Sequence, residues 1–508
     1  MSLLAREQNS YATQAPAPSV VGLALQFLRD RWALVLVISG LILIPCFWHR
    51  RIEAGDLGSH TYNAWLALLV KQGRVPGLYL AHQWNNVIVD SALTWLGARL
   101  GFIIAEKIVV SLCVLTFFWG AFAFISAASL RPPWYLTPAI AMVSYGFTFY
   151  VGFMNFYLSI GLALFAAPIF WRGTRIDWIL GAALAALTLM AHPMGFGLLF
   201  AMVVYIRLAE ATRGLYRWAV FASGFLALIA IHFALHRLRT AGGMGLHFVF
   251  MNGADQLVLF GERYRLFAEY LLIVGSCAFI ATVIHDRNRP PPPQWFRTPL
   301  ELWVIFVFAV AVVPGTIWFP RYTAAVSSIN SRLTAVTAIL GLSVLASVQP
   351  RKSIFGVLAV FAAVFFTMQY RDTAVLNDME QQVESLVSNL PFGTRVSYTI
   401  DFGNNSRINS RHMVDRACIE RCFTYSNYEP ATGQFRLRVS PQGSPFISNS
   451  GLDLEHGDYV VRPTDLPLAQ IYQSDESDLT RLSIRNLSAG EKNGRFGHHA
   501  PVPVGELH

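Results

Sequence analysis

The strongest constraint on this chain is a succession of apolar segments, each near the roughly 20 residues that a helix needs to cross a bilayer. They lie at 32–48, 104–127, 134–150, 153–171, 177–191, 193–206, 218–236, 266–284, 300–318, 330–348 and 353–369. Charged side chains are 14% of the 508 residues and hydrophobic ones 54%. A soluble chain averages roughly a quarter charged. The expected fold is a polytopic α-helical membrane protein of about 11 transmembrane helices, with a small extracytoplasmic α+β C-terminal domain. The excess of 39 basic over 30 acidic residues suits cytoplasmic loops and sites for anionic lipid. No Lys/Arg cluster is interleaved with aromatics, so membrane lipids are expected partners and nucleic acid is not.

Residues 1–31 are polar and rich in Pro and Ala, which reads as a cytoplasmic N-terminal segment and not a cleavable signal. The membrane domain spans 32–369 and has an outer loop at 49–103, where 84–102 reads as a surface helix. Arg131, Arg172, Arg175, Arg207, Arg213, Arg217, Arg287, Arg289, Arg297, Arg351 and Lys352 fall in alternate turns, while the turns near 151–153 and 191–193 carry no Lys or Arg. The positive-inside rule places the basic turns in the cytoplasm and Asp56 outside, in a cell (inner) membrane. Arg50, Arg51, Arg237, Arg239, Arg263, Arg265, Arg321 and Arg332 count against that assignment.

Parity turns on 177–206. A single helix of that length would run about 45 Å, long for one crossing and short for two. The chain is read as breaking at His192-Pro193, because proline removes an amide and disfavours helix before it. One kinked helix would reverse the side of everything downstream. Pro290 to Pro293 form a short polyproline spacer.

From residue 370 the composition turns polar. Val375, Met379, Val383, Leu386, Val387 and Leu390 recur at helical spacing up to Pro391, a helix that carries the chain out of the membrane. Val396–Ile400 and Phe435–Val439 alternate like strands, so 370–483 is expected to be an extracytoplasmic domain. Residues 484–508 lack apolar periodicity and read as a flexible tail. Cys418 and Cys422, four apart, cannot bridge in a regular helix but can in an irregular turn, and an outer location favours the disulfide. A metal pair is the rival, with no matching Cys/His pair nearby.

The polar residues that stand out gather on the outer side. In Glu53-Ala54-Gly55-Asp56-Leu57-Gly58-Ser59-His60, a helix beginning at Asp56 puts Asp56 and His60 on one face, with Glu53 a turn earlier. Trp65, Leu66, Leu68 and Leu69 make its other side apolar, as in a helix lying along the bilayer surface. Asp56 or Ser59 would equally serve as an N-cap. Asn155 and His192 occupy the next outer turns, where each also suits a helix end. Arg263 and Arg265 stand beside Glu262, as an ordinary surface ion pair would. Arg321, Tyr322 and Arg332 bracket the last outer turn, and an unpaired guanidinium beside an apolar crossing invites a phosphate.

One crossing, an outer loop opening on acids, many crossings and an outer C-terminal domain together resemble the GT-C superfamily of membrane glycosyltransferases. The matching residues are Glu53, Gly55, Asp56, His60 and the run Leu66 to Pro76. The likeness is mainly topological and covers 30–370. It implies a lipid-linked sugar donor on polyprenyl phosphate or pyrophosphate, and a glycan, lipid or protein acceptor. Asp56 would be general base, with Glu53 and His60 beside it. Arg321, Tyr322, Arg332, His192, Asn155 and Arg263 would bind substrate. Some relatives use a divalent metal, Mg or Mn, which Asp56, Glu53 and His60 would hold. A transporter or flippase of lipid-linked sugars, a polysaccharide polymerase or ligase, and a non-catalytic assembly partner are the competing expectations.

Overall fold

The computed structural model describes residues 19–242, 251–285, 296–320, 322–323, 325–348, 354–402 and 406–494; Arg321 and the polyproline spacer lie outside them. In hydrocarbon every backbone polar group must be satisfied internally, so apolar sequence of this length resolves into helices. They are α1 (Val20–Phe47), α2 (Leu57–Lys71), α3 (Ile88–Leu100), α4 (Phe102–Ser129), α5 (Thr137–Ser144), α6 (Phe147–Tyr150) and α7 (Met154–Arg172). After them come α8 (Asp177–Ala191), α9 (Pro193–Ala211), α10 (Gly214–Leu235), α11 (Glu262–His285), α12 (Arg297–Val312), α13 (Ile329–Val348) and α14 (Ile354–Ser388). Among the described residues seven, α1, α4, α7, α9, α10, α13 and α14, are long and apolar enough to cross a membrane, and α8 is a shorter apolar helix. Leu215, Leu226 and Phe233 of α10 point outward, 83%, 66% and 68% exposed, as residues facing lipid would.

Local chemistry moves several boundaries. α1 starts at Val20 because Ser19 caps it, its Oγ accepting from Gly22 N at 3.1 Å. The helix then kinks at Arg31 (φ −128°, ψ 17°), so the apolar segment that begins at 32 is its second half. Segment 134–150 is not one helix. It opens as a 3₁₀ turn at Trp134–Leu136 and breaks at Tyr145-Gly146, where Gln369 Nε2 donates to the freed Tyr145 carbonyl at 2.8 Å. Segment 300–318 stops being helical at Val313, extended before Pro314. At His192 the backbone is extended (φ −162°, ψ 130°), so 177–206 holds two helices.

The turns sort into two ends. At one end Gly55 N and Asp56 N donate to the carbonyls of Tyr150 and Val151, both at 2.8 Å. Strand β2 (Arg239–Ala241), after α10, pairs antiparallel with β3 (Thr316–Trp318), after α12. The opposite end joins Ser19 to Asp177 at 2.5 Å, the Tyr135 hydroxyl to the Ala346 carbonyl at 3.2 Å, and Arg217 to Glu301 at 2.7 Å.

α14 is a single helix of 35 residues, about 50 Å long. Its stripe Leu358, Ala362, Phe365, Gln369, Thr373, Leu376, Glu380, Val383 and Val387 stays buried from the bundle into the polar segment. Beyond it the short helices α15 (Met413–Ala417) and α16 (Glu429–Thr432) accompany a four-stranded sheet. Its strands are β4 (Arg395–Thr399), β5 (Phe423–Thr424), β7 (Leu468–Gln473) and β8 (Leu482–Asn486), in the order β5-β4-β7-β8, with β4 parallel to both neighbours and β8 antiparallel. The remaining strand-like stretch forms β6 (Leu437–Val439), which leaves that sheet to pair antiparallel with β1 (Leu78–Leu80) of the loop after α2.

Two expectations change here. α2 is no surface helix, because residues from Leu57 to Leu69 are buried almost all round, partly beneath the C-terminal segment. Residues 484–494 are ordered: β8 zips onto β7, and the buried Asn493 side chain accepts from Tyr459 N at 3.0 Å. Their order rests on hydrogen bonds and on Ile484 and Leu487, too few apolar positions to leave a period to read. Residues 495–508 lie outside the described residues.

Candidate functional site

Asp56 occupies the N-cap position of α2, yet its carboxylate accepts no hydrogen bond from the helix's first turn. The cap reading is not the one the chain adopts. What holds Asp56 is backbone: the Tyr150 and Val151 carbonyls grip residues 55 and 56. Gly152 makes this possible, since its φ is +89° and a Cβ there would sit 2.5 Å from Asp56 N. The carboxylate, side chain 31% exposed, looks into a cavity of about 170 Å³.

That cavity brings together Asp56, His60, Asn155, His192 and Arg332, from α2, α7, the α8–α9 turn and α13. Phe153, Phe156 and Phe435 give it apolar walls, and Tyr428, Thr432 and Gln434 of the C-terminal segment close it over. His60 Nδ1 lies 2.8 Å from Asp90 Oδ1, and Asn155 Nδ2 donates to Asp90 Oδ2 at 2.7 Å. Burial is the largest single influence on His60 and disfavours its imidazolium. The carboxylates of Asp90, Glu429 and Asp56 together outweigh it and raise the ring to about 9. Asp90 is in turn held below its ordinary range, burial being outweighed by His60, Asn155 and Arg436.

His192 is the opposite case. Burial first, and the Arg332 charge second, push it down to about 3, so the ring is neutral. Its Nδ1 accepts from Met194 N at 3.1 Å, capping α9, which leaves the hydrogen on Nε2. Arg332 stacks over Phe153 with Cζ 3.8 Å from the ring centroid. Its Nε is buried without a hydrogen-bond partner, and no carboxylate among the described residues pairs with it. An unpaired guanidinium in such surroundings is costly and suits an anion.

Other candidates lie elsewhere. Glu53, one turn before Asp56, is buried in an ion cluster: Arg416 Nη2 lies 3.3 Å from it, while Arg416 also engages Glu380 and, at 2.9 Å, Glu106. Burial, then the Glu380 carboxylate, raise Glu53 well above the carboxylate range. Arg263 is paired with Asp372 of α14 and does not line the cavity. Tyr322 packs on Phe319, ring centroids 6.4 Å apart, and does not line it either.

As metal ligands, Asp56, Glu53 and His60 do not converge, since Glu53 is spent on Arg416 and the His60 Nδ1 on Asp90. No group of three or more His, Cys, Asp or Glu among the described residues is placed to hold a metal ion. Cys418 and Cys422 are bridged, with Cα atoms 4.7 Å apart. The turn between them is irregular, Glu420 having φ +64°.

Several residues around the cavity stand outside those singled out from the sequence alone. Asp90 was visible as a charge in an apolar stretch. Behind Asp56 stand His412, whose Nε2 is 3.9 Å from Asp56 Oδ1, and Asp415, 2.6 Å from His412 Nδ1. Glu429 accepts from Asn63 Nδ2 at 2.6 Å, and burial raises it to about 7 despite His60 and His412. These lie some 350 residues from Asp56 in a polar segment without a recognisable motif. No family model matches this chain, and no curated protein is similar to it at a significant level.

Proposed function

We propose that this protein is a membrane glycosyltransferase that moves a sugar from a polyprenyl-phosphate-linked donor to an extracytoplasmic acceptor. The observation that carries the proposal is a partly exposed carboxylate and a buried guanidinium without a carboxylate partner, lining one cavity at one end of an apolar bundle. Asp56 takes the proton of an acceptor hydroxyl as its oxygen bonds to the anomeric carbon. The bond from that carbon to the phosphate oxygen breaks, and polyprenyl phosphate leaves with the electron pair. Arg332, His60 as imidazolium and the Nε2–H of His192 face the charge that develops on the phosphate. Phosphate is a good leaving group, so one carboxylate suffices and no second acid is needed.

The finer topology belongs to the same proposal. The helices α8, α11 and α12 and the broken α5–α6 pair add passages to the seven named above, making eleven. The two-ended sorting of the turns supports that parity, with basic Arg131, Arg172 and Arg217 at the end opposite Asp56. The protein is then a multi-pass protein of the cell (inner) membrane, with 370–494 as an extracytoplasmic domain beside the site.

The test uses full-length protein in nanodiscs with a panel of farnesyl-phosphate-linked hexoses and pentoses. Asp56→Asn is expected to lower turnover by about 10²–10⁴-fold, the range a positioned base supplies, while farnesyl phosphate still binds. Arg332→Ala should weaken farnesyl phosphate binding. If Asp56→Asn leaves the flux of lipid-linked sugar across sealed vesicles intact and no variant or wild type forms a glycosidic bond, the protein is a transporter and the proposal fails.

A further inference from the structure

We infer that His412 is a positioning residue for Asp56, the centre of a chain Asp415–His412–Asp56 that reaches the cavity from beneath; this rests on the glycosyltransferase reading above. His412 does not line the cavity, so it acts through Asp56. Its ring is buried and bound on its inner side, where Nδ1 lies 2.6 Å from Asp415 Oδ2 and 3.2 Å from the Tyr398 hydroxyl. The Tyr398 hydroxyl in turn donates to Glu455 at 2.7 Å. With Nδ1 occupied, Nε2 is directed toward Asp56 Oδ1 at 3.9 Å, ion-pair range. One carboxylate oxygen is thereby set against a fixed cation, and the other is left for the acceptor hydroxyl.

Backbone packing fixes this geometry as well. A Cβ on Gly58 would press into the His412 main chain, 2.7 Å from its carbonyl carbon, so α2 and the turn before α15 close directly on each other. The groups facing His412 are Asp56 at the start of α2, Asp415 from α15, Glu429 from α16, Glu455 from the helix Gly451–His456, Tyr398 from β4, and the Tyr428 ring at 6.0 Å. Burial is the largest influence and opposes charge on His412, but Asp415, Glu455 and Asp56 outweigh it and raise the ring to about 10. The order along the chain is anion, cation, anion. A merely structural histidine would be satisfied by Asp415 and Tyr398 alone, and would have no need of a second carboxylate on the cavity side.

Two measurements on full-length protein in nanodiscs test this. Release of farnesyl phosphate from the linked sugars should fall about 10- to 100-fold in kcat for His412→Asn, part of the 10²–10⁴ due to a positioned base, with KM for the donor unchanged. Groups acting as one unit are non-additive, so Asp56→Asn combined with His412→Asn should be no slower than Asp56→Asn alone. An unchanged kcat in His412→Asn, or losses that multiply in the double variant, would overturn the inference while leaving Asp56 as base. The second measurement needs no turnover and no variant at His412. The ¹⁵N spectrum of the ring should show both nitrogens protonated at neutral pH, and Asp56→Asn should lower the pH at which one proton leaves. A His412 titration indifferent to Asp56→Asn overturns the inference even if the enzyme reading itself has failed.

Discussion

Asp56 reaches the cavity because two glycines let backbone come closer than a side chain permits. Gly152 lies in the left-handed region against Asp56 N, and Gly58 lies against His412. Gly152→Ala is expected to lose about 1–2 kcal/mol from the backbone conformation alone, plus the cost of pushing Asp56 away. The thermal midpoint should drop, and farnesyl-phosphate-sugar turnover should drop further than the folded fraction does. Turnover that merely tracks the folded fraction would show that Asp56 does not depend on this contact. Gly58→Ala should disturb His412 in the same manner. Asp56 and His60 were legible from their spacing on one helix face, and Asn155 and His192 from polar residues placed at helix ends. His412 and Asp415 were not, because only folding brings a polar segment without a motif beside α2.

At the scale of elements, the C-terminal segment is locked to the bundle by charge as much as by apolar contact. Arg416 of α15 meets Glu53 before α2, Glu106 of α4 and Glu380 of α14, all nearly fully buried. Thr61 adds a hydrogen bond to Glu106 at 2.8 Å, and Arg51 reaches Glu384 at 2.8 Å. Removing one member of such a buried set strands the others, at a cost of about 3–5 kcal/mol. Arg416→Met should therefore destabilise by roughly that amount and expose residues 389–494 to protease before the bundle unfolds. Protease resistance equal to wild type would show that the β1–β6 pairing and the apolar contacts hold the segment without the cluster. Glu53 drew notice in the sequence for its nearness to Asp56. The two residues between them, Ala54 and Gly55, turn its side chain into the cluster and away from the cavity.

Across the whole molecule, four buried groups on the Asp56 side, His60, His412, Glu429 and Glu455, set the pH dependence above pH 6, outweighing His192, whose lowered value adds an opposite contribution that is complete once the pH is well past 6.5. His60 and His412 are raised from 6.5 to about 9 and about 10, so their stabilisation is complete below pH 6.5 and is lost as pH rises through those values. Glu429 and Glu455 are raised from 4.5 to about 7, chiefly by burial. Their protonated forms favour the folded state below pH 4.5, and that contribution is lost as pH climbs to about 7. Both effects have one sign over this range. The thermal midpoint in detergent should fall as the pH is taken from about 6 to about 10. A midpoint that stays flat or rises would show that these groups are not charged as the geometry requires.

The hydropathy of the chain, with so few charges to spread over its length, settled by itself that it folds as a bundle of apolar helices and where most of them run, because hydrocarbon length and helical rise leave little choice. Proline at 193 likewise sufficed to divide 177–206, since the break is local. Tertiary structure decided the rest: that β6 leaves the C-terminal sheet for β1, that α2 is covered, that Glu53 faces Arg416, and that His412 stands behind Asp56. Each of those depends on which of several polar partners a side chain meets, and a hydrogen bond or ion pair between distant residues leaves no period in the sequence.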